Sequence, residues 1–331
     1  MAGARLDCIG LEHTVHPDIR KYHKSYLTPT KDLRETRAQG KQACAVCGKF
    51  EYELRRCGKC KHASYCSKEC QKADWPTHKT ACSAADSSVN MTKIAQTLDA
   101  STFLIMQLQG AFIAAFHLLR DPRLDRPFAG RVDVGVEPTH LMAFMQIHRG
   151  GPCPENVEGM VQVNAFTPLP HAWITPQATR IWRSGRDRVE STTELVSSPV
   201  GLVVLSKANA LVQIFPIIIF PQMMNIMRNS PTFKRVSSLT RTSISVPVDI
   251  PGLMMMINKH IRADEKNKLS MRTEMTPGDV QVIGDAASGN VLATPLPADW
   301  LLVAPPPQLA ATILKEKMEW DPMYKPTVVF E

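Results

Sequence analysis

The sequence predicts a small metal-nucleated module followed by a larger α+β domain. Three observations carry that reading. Seven of the nine cysteines in the 331-residue chain fall between positions 44 and 82. The chain is 44% hydrophobic and 21% charged, the balance of a globular protein rather than a disordered one. Beyond residue 90, stretches with helical spacing flank a run of short strand-like segments separated by Pro and Gly, the texture of an α+β domain.

The metal-ligand candidates are Cys44, Cys47, Cys57, Cys60, Cys66, Cys70, His78 and Cys82. Their spacing is that of ligands: two C-x-x-C pairs, then C-x-x-x-C, then H-x-x-x-C. A C-x-x-C knuckle turns two thiolates toward one point, and an i,i+4 pair puts two side chains on one face of a helix. Eight soft or borderline donors in four pairs suit two tetrahedral Zn²⁺ ions with four protein ligands each. A disulfide framework would need a secretory context, and the stretch from Met1 to Asp7 lacks the apolar run of a secretory signal. Thiols clustered at metal spacing, with only Cys8 and Cys153 left over, imply a reducing intracellular compartment, nucleus or cytoplasm.

Residues 1–40 read as a polar, basic leader without sustained periodicity. The module is expected over 41–84, a linker over 85–90, and the α+β domain over 91–331. In that domain Ile94, Leu98, Phe103, Leu104, Leu108, Phe112, Ile113, Phe116 and Leu119 recur at helical spacing and predict one long helix ending before Asp121-Pro122. Strands are expected at 131–136, 141–148, 160–166, 200–205 and 280–283, and further helices at 251–262 and 307–319. The twenty uncharged residues between Lys207 and Arg228 are interrupted by Pro216, Pro221 and four Asn or Gln side chains. They read as a buried strand followed by another apolar element, not as a membrane span. A faint repeat pairs Thr167-Pro168-Leu169-Pro170, leading to Trp173, with Thr294-Pro295-Leu296-Pro297, leading to Trp300. A Val-Gln-Val precedes each copy. Two strand exits, each ending on a core Trp, account for this more simply than a duplication.

The net charge of +8 is uneven, with 16 Lys+Arg against 10 Asp+Glu in residues 1–90. Residues 41–85 hold nine Lys/Arg and four Asp/Glu; seven thiolates and two Zn²⁺ add −7 + 4 = −3, leaving about +2 for the loaded module. The basic residues largely offset the thiolates. Nucleic-acid binding through Arg55, Arg56, Lys59 and Lys61 is therefore an alternative with little net charge behind it.

The run Cys-x2-Cys-x9-Cys-x2-Cys-x5-Cys-x3-Cys-x7-His-x3-Cys resembles the MYND-type zinc finger. The likeness extends to Tyr65-Cys66-Ser67, Cys70-Gln71, Asp74-Trp75 and His78-Lys79, and covers residues 44–82. RING and PHD fingers also use eight ligands, but they place the His earlier and end on a C-x-x-C pair. The resemblance implies a two-zinc cross-brace: Cys44, Cys47, Cys66 and Cys70 on one ion, Cys57, Cys60, His78 and Cys82 on the other. Spacing alone also permits sequential pairing, and His62 is near enough to compete with His78. Closed four-ligand sites are structural rather than catalytic, and metal binding would supply most of the module's folding energy, on the order of 10 kcal/mol. The resemblance further implies binding of short proline-containing partner peptides, often Pro-x-Leu-x-Pro, in a groove lined by Ser64, Tyr65, Gln71 and Trp75. A core-plug role is an equally available reading of Trp75. The Pro-Leu-Pro turns at 168–170 and 295–297 share the character of such ligands and could dock on the finger within the chain.

MYND modules sometimes accompany a SET methyltransferase or an iron-dependent prolyl hydroxylase domain. The SET motif Asn-His-x-Cys-x-Pro-Asn is absent. No His beyond residue 90 begins a His-x-Asp or His-x-Glu; His16-Pro17-Asp18 does, but before the finger. No G-x-S-x-G, Walker A or G-x-G-x-x-G occurs either. The sequence thus reads as a zinc-binding protein-interaction module attached to an α+β domain of unassigned role. The alternative is an enzyme in 91–331 with the finger as its docking module.

Overall fold

The computed structural model describes residues 17–39, 42–51, 54–60, 63–83, 91–151, 156–207, 212–230, 232–236, 243–289 and 307–324. Two helices come first, α1 (Pro17–Ser25) and α2 (Thr30–Gln39). The finger follows with two minimal hairpins, β1 (Gln42–Ala43) with β2 (Phe50–Glu51) and β3 (Arg55–Arg56) with β4 (Ser64–Tyr65), and then α3 (Lys68–Ser83). The large domain runs α4 (Met91–Ala100), α5 (Thr102–Phe116), β5 (Ala129–Pro138), α6 (Leu141–His148), β6 (Glu158–Pro168), α7 (Pro176–Glu190), β7 (Val200–Lys207), β8 (Gln213–Ile218) and α8 (Pro221–Asn229). It continues with a hairpin of β9 (Thr232–Val236) and β10 (Ser243–Pro247), then α9 (Ile250–Ala263), β11 (Arg272–Glu274), α10 (Pro277–Ser288) and α11 (Pro307–Trp320).

A five-stranded mixed sheet, ordered β11-β6-β5-β7-β8, is the frame of this mixed helix-and-sheet domain. Only β5 and β7 are parallel, and α7 stands in the connection between them. Both sheet faces are covered. Val132, Val134 and Val136 of β5, with Val203 and Leu205 of β7, pack against α4, α5 and α9. Leu202 and Val204 face the other way, toward Ile181 and Trp182 of α7. On that second side α6, α10 and α11 form their own apolar cluster through Phe144, Ile283 and Leu314.

The register of β5 on β6 skips Asn164, since Asp133 pairs with Ala165 but Val134 with Val163. This bulge turns the Asn164 amide toward Gly135, where any Cβ would lie 2.7 Å from the Asn164 nitrogen. On the outer side of β6, Asn258 of α9 takes the place of a strand: it donates to the Val163 carbonyl at 2.9 Å and accepts from the Val163 N–H at 2.7 Å.

Several expectations change. The single helix expected from Ile94 onward is two, α4 and α5, bent by 91° at Ser101, whose backbone is extended. Both stretches keep an apolar face, so periodicity alone did not reveal the corner. Residues 141–148 and 280–283 are helical, not strands. The second has a readable cause: Thr276 and Asp279 form a capping box around Pro277, and Gly289 terminates the helix in the left-handed region. Short apolar runs leave helix and strand ambiguous, and these caps decide it. The Val-Gln-Val of the first repeat copy lies in β6 and that of the second in α10, which removes the structural basis for a duplication. The Pro-Leu-Pro turn at 168–170 is a core turn with Leu169 and Trp173 both 6% exposed, so its leucine is not free to dock on the finger. The second copy, like Cys8, His62 and Cys153, lies outside the described residues. Among the described residues no single helix is long and apolar enough to cross a membrane, and the stretch after Lys207 holds β8 and α8.

The leader is anchored at two points. Leu33 of α2 is fully buried in the main core. His23 of α1 meets His260 of α9 with their Nδ1 atoms 3.2 Å apart, and His260 stacks on Phe103 at 4.3 Å between centroids. Burial holds both imidazoles neutral, His23 down to about 3 and His260 to about 4. An unfolded His titrates near 6.5, so between that pH and about 4 the unfolded chain binds more protons. The stabilisation is complete above pH 6.5 and is lost as pH falls. Unfolding free energies from urea titrations at pH 7 and pH 4.5 should therefore differ by roughly 2–4 kcal/mol more for the wild type than for His260→Phe, which keeps the stack but cannot ionise. Equal pH slopes for the two proteins would refute this.

Candidate metal centre

The finger's fold brings its eight donors into two groups. Cys44 and Cys47 lie in the knuckle after β1, Cys66 follows β4, and Cys70 lies on the first turn of α3. Cys57 and Cys60 lie in the second knuckle, and His78 and Cys82 one turn apart on α3. Within each group the donor atoms all lie within 4.8 Å of one another, and among the described residues these are the groups of Cys, His, Asp or Glu that could hold an ion.

The finer distances fit a metal rather than a disulfide. Cys47 and Cys66 sulfurs are 3.5 Å apart, Cys66 and Cys70 3.6 Å, and Cys57 and Cys82 3.8 Å. A tetrahedron with Zn–S bonds of about 2.3 Å has edges of about 3.8 Å, whereas a disulfide needs about 2.05 Å. Cys60 Sγ to His78 Nε2 is 3.4 Å, against about 3.6 Å for a Zn-bound thiolate and imidazole. Each set is complete with four protein donors. The two clusters fit two zinc ions, with no position left for a substrate.

Local electrostatics prepare the sites. Burial disfavours the Cys57 thiolate, but the backbone N–H of Cys60, the His78 ring and the Lys59 N–H outweigh it and bring the thiol to about 6. Cys44 comes to about 7 in the same way through the N–H groups of Cys47, Cys66 and Val46. Their neighbours move oppositely: hydrogen bonds with Cys47 and Cys70 push Cys66 up to about 12, and burial and then Cys57 push Cys82 to about 11. A cluster of thiols that cannot all ionise together is one a dication completes.

Tyr65 and Trp75 divide two roles that the sequence left open. Tyr65 is 1% exposed, donates to Asp74 at 2.7 Å and meets the His78 ring edge-on: it is the finger's core plug. Trp75 is 47% exposed on α3. Ser64 is also buried and presents its carbonyl to the Ala45 N–H. Gln71, half-buried, lies one turn before Trp75.

The first knuckle leans on the large domain, which the sequence did not suggest. Gln177 of α7 donates to the Ala45 carbonyl, and Arg180 donates to the Val46 carbonyl at 3.3 Å. Gly48 has φ of +71° there, and an added Cβ would press on Arg180 at 3.2 Å.

A family model described as MYND finger matches residues 44–82, and one described as domain of unknown function (DUF8205) matches residues 87–299, well over half the chain. The chain belongs to the DUF8205 family. Its finger segment is 54% identical over 41 residues to N-lysine methyltransferase SMYD2-A of Danio rerio, covering 12% of this chain and 9% of that protein. It is 47% identical over 47 residues to SET domain and MYND-type zinc finger protein 6 of Schizosaccharomyces pombe, covering 14% and 10%. N-lysine methyltransferase SMYD2 of Homo sapiens matches at 52% over 40 residues, 12% and 9%. The chain spans about a tenth of the length of these relatives, so the likeness stops at the finger. No solved structure matches the chain.

Among the described residues of the DUF8205 domain, a cavity lies where α10 and α11 cover β5 and β7. It measures about 30 Å³ and is walled by Asp133, Glu137, Asn164, Lys207 and Asp279 among aliphatic side chains. That is room for one or two waters. Its charges are already matched: Asp133 with Arg131 at 2.7 Å, Asp279 with Lys207 at 2.8 Å, and Glu137 with Lys317. Burial outweighs the Arg131 charge and raises Asp133 to about 6. A small cavity ringed by satisfied ion pairs does not favour the enzyme reading.

Proposed function

We propose that this DUF8205 protein is an adaptor whose MYND finger captures short proline-containing peptides of partner proteins, with Trp75 as the contact residue. The observation that carries the reading is the exposure of Trp75 while Tyr65 fills the finger's core. The Trp75 ring tilts against His78 at 6.1 Å between centroids and leaves about half of the residue to solvent, where it is available to a partner, and aromatic anchors dominate the energetics of such contacts. Cys44, Cys47, Cys66 and Cys70 hold one zinc in this reading, and Cys57, Cys60, His78 and Cys82 the other; both ions shape the groove and do no chemistry. Gln71 supplies an amide beside the ring, and Ser64 and Tyr65 support the groove from beneath.

The leader, finger and large domain are taken as 1–40, 41–84 and 91–331. A thiol-based zinc module needs reduced cysteines, which supports an intracellular setting. Ligands of the form Pro-x-Leu-x-Pro are the first to test. A labelled peptide of that form should bind the full chain saturably, and Trp75→Ala should weaken binding at least ~10-fold with zinc content unchanged. Absence of saturable binding up to roughly 500 µM would end the proposal.

A further inference from the structure

We propose that the peptide captured by this finger is acidic beside its proline-leucine core, and that Lys68, Lys72 and Arg55 read those acidic residues. This rests on the peptide-groove reading above and names the partner's chemistry. On α3, Lys68, Lys72, Trp75 and Lys79 recur at intervals that align them on one helix face, and all four are exposed. Trp75 thus stands inside a lysine stripe. Arg55, exposed on β3, pairs with Tyr65 across the β3–β4 hairpin, and Tyr65 stands three residues before Lys68 at the start of the stripe.

The imbalance extends over the finger's described side chains. Among its described side chains seven Lys and Arg are exposed against one acid, Glu69. None of the ion pairs among the described residues uses Arg55, Arg56, Lys59, Lys68 or Lys72. The thiolates that nearly cancel this charge in a net count sit at the metal sites, where each Zn²⁺ neutralises half or more of its set. A ligand on the surface meets the cations first, well within the ~8 Å screening length of physiological salt. A nucleic-acid strand would also be attracted, but it needs successive stacking platforms, and Trp75 is the one exposed aromatic ring among the finger's described side chains. One aromatic anchor flanked by cations fits a peptide with one apolar core and acidic neighbours.

The test uses the full chain and three labelled peptides that share a Pro-x-Leu-x-Pro core, flanked by Asp/Glu, by Ser/Gly or by Lys. The acidic peptide should bind ~10-fold tighter than the neutral one at low salt. That advantage should shrink toward ~0.5 M salt. Lys68→Glu with Lys72→Glu should reverse the order of the three peptides while zinc content stays the same. If that variant loses zinc, Lys68→Gln with Lys72→Gln must remove the preference instead. Equal affinity for acidic and neutral peptides overturns this inference and leaves the groove reading intact. Failure of all three to bind overturns both. A single-stranded oligonucleotide that binds more tightly than the acidic peptide, and loses binding in the lysine variant, overturns it in favour of nucleic acid.

Discussion

Cys57→Ser is expected to strip zinc from both sites, not from one. The two ligand sets share a single helix: Cys70 at its start serves one set, and His78 and Cys82 at its end serve the other. They also share the β3–β4 hairpin, because the Cys57 N–H donates to the Ala63 carbonyl while the Ser64 carbonyl accepts from Ala45 in the first knuckle. The finger's apolar cluster consists largely of the ligands themselves with Tyr65, so little apolar burial can hold α3 in place without metal. Structural zinc contributes on the order of 10 kcal/mol to such modules, far more than the two hydrogen bonds from α7 can replace. Metal analysis should give two zinc ions per chain for the wild type and close to none for Cys57→Ser after mild chelation. Far-UV circular dichroism should retain most of its helical signal, which comes from the large domain. One firmly held zinc in the variant would show that the sites fold independently.

Glu137→Ala should be the most damaging single change in the large domain. Glu137 is 1% exposed and accepts from the Lys317 ammonium and the Tyr324 hydroxyl, with Arg262 at 4.0 Å. Lys317 is fully buried and also donates to Asn164 at 3.1 Å; Arg262 also reaches Gln162 at 2.7 Å and Asp321 at 3.8 Å. One carboxylate thus ties β5 to α9, α11 and the turn after it. Removing it leaves two buried cations short of a counter-charge, a loss of ~3–5 kcal/mol. In a domain of this size that lowers the melting temperature by roughly 10 °C. Glu137→Gln with Lys317→Met removes the pair together and should recover much of the loss. If Glu137→Ala melts within 2 °C or so of the wild type, the network contributes little and is better described as solvated.

The finger was legible because its ligand spacing is local chemistry. Each pair, from Cys44 and Cys47 to His78 and Cys82, is set by a turn or by one turn of helix, so the sequence itself nearly fixes the geometry within a pair, while spacing left open which pairs share an ion. The helices expected at 251–262 and 307–319 and the strands at 131–136, 160–166 and 200–205 were legible for the same reason, that their periodicity survives in the folded state, whereas α7, β9, β10 and β11 were not anticipated. Residues 280–283 were misread although the cap that makes them helical, Thr276 to Asp279, stands immediately before them.

The charged face of β5 was visible as an alternation, Arg131, Asp133 and Glu137 between valines, but an alternating strand ordinarily turns its polar side to water. Here α10 and α11 cover that side, and the matching charges come from residues as distant as Lys317. No local pattern can announce a partner 180 residues away. The corner at Ser101, the docking of His23 on His260 and the lean of the first knuckle on α7 are of the same kind.

The sequence by itself determined that this protein binds two zinc ions in a MYND finger and that an α+β domain follows, because ligand spacing and hydrophobic period act over a few residues. Only the tertiary structure decided which of two aromatic residues plugs the finger and which is left exposed, and which charges in the large domain are buried. Burial is a property of what packs on top, and that is settled by contacts far apart in the chain.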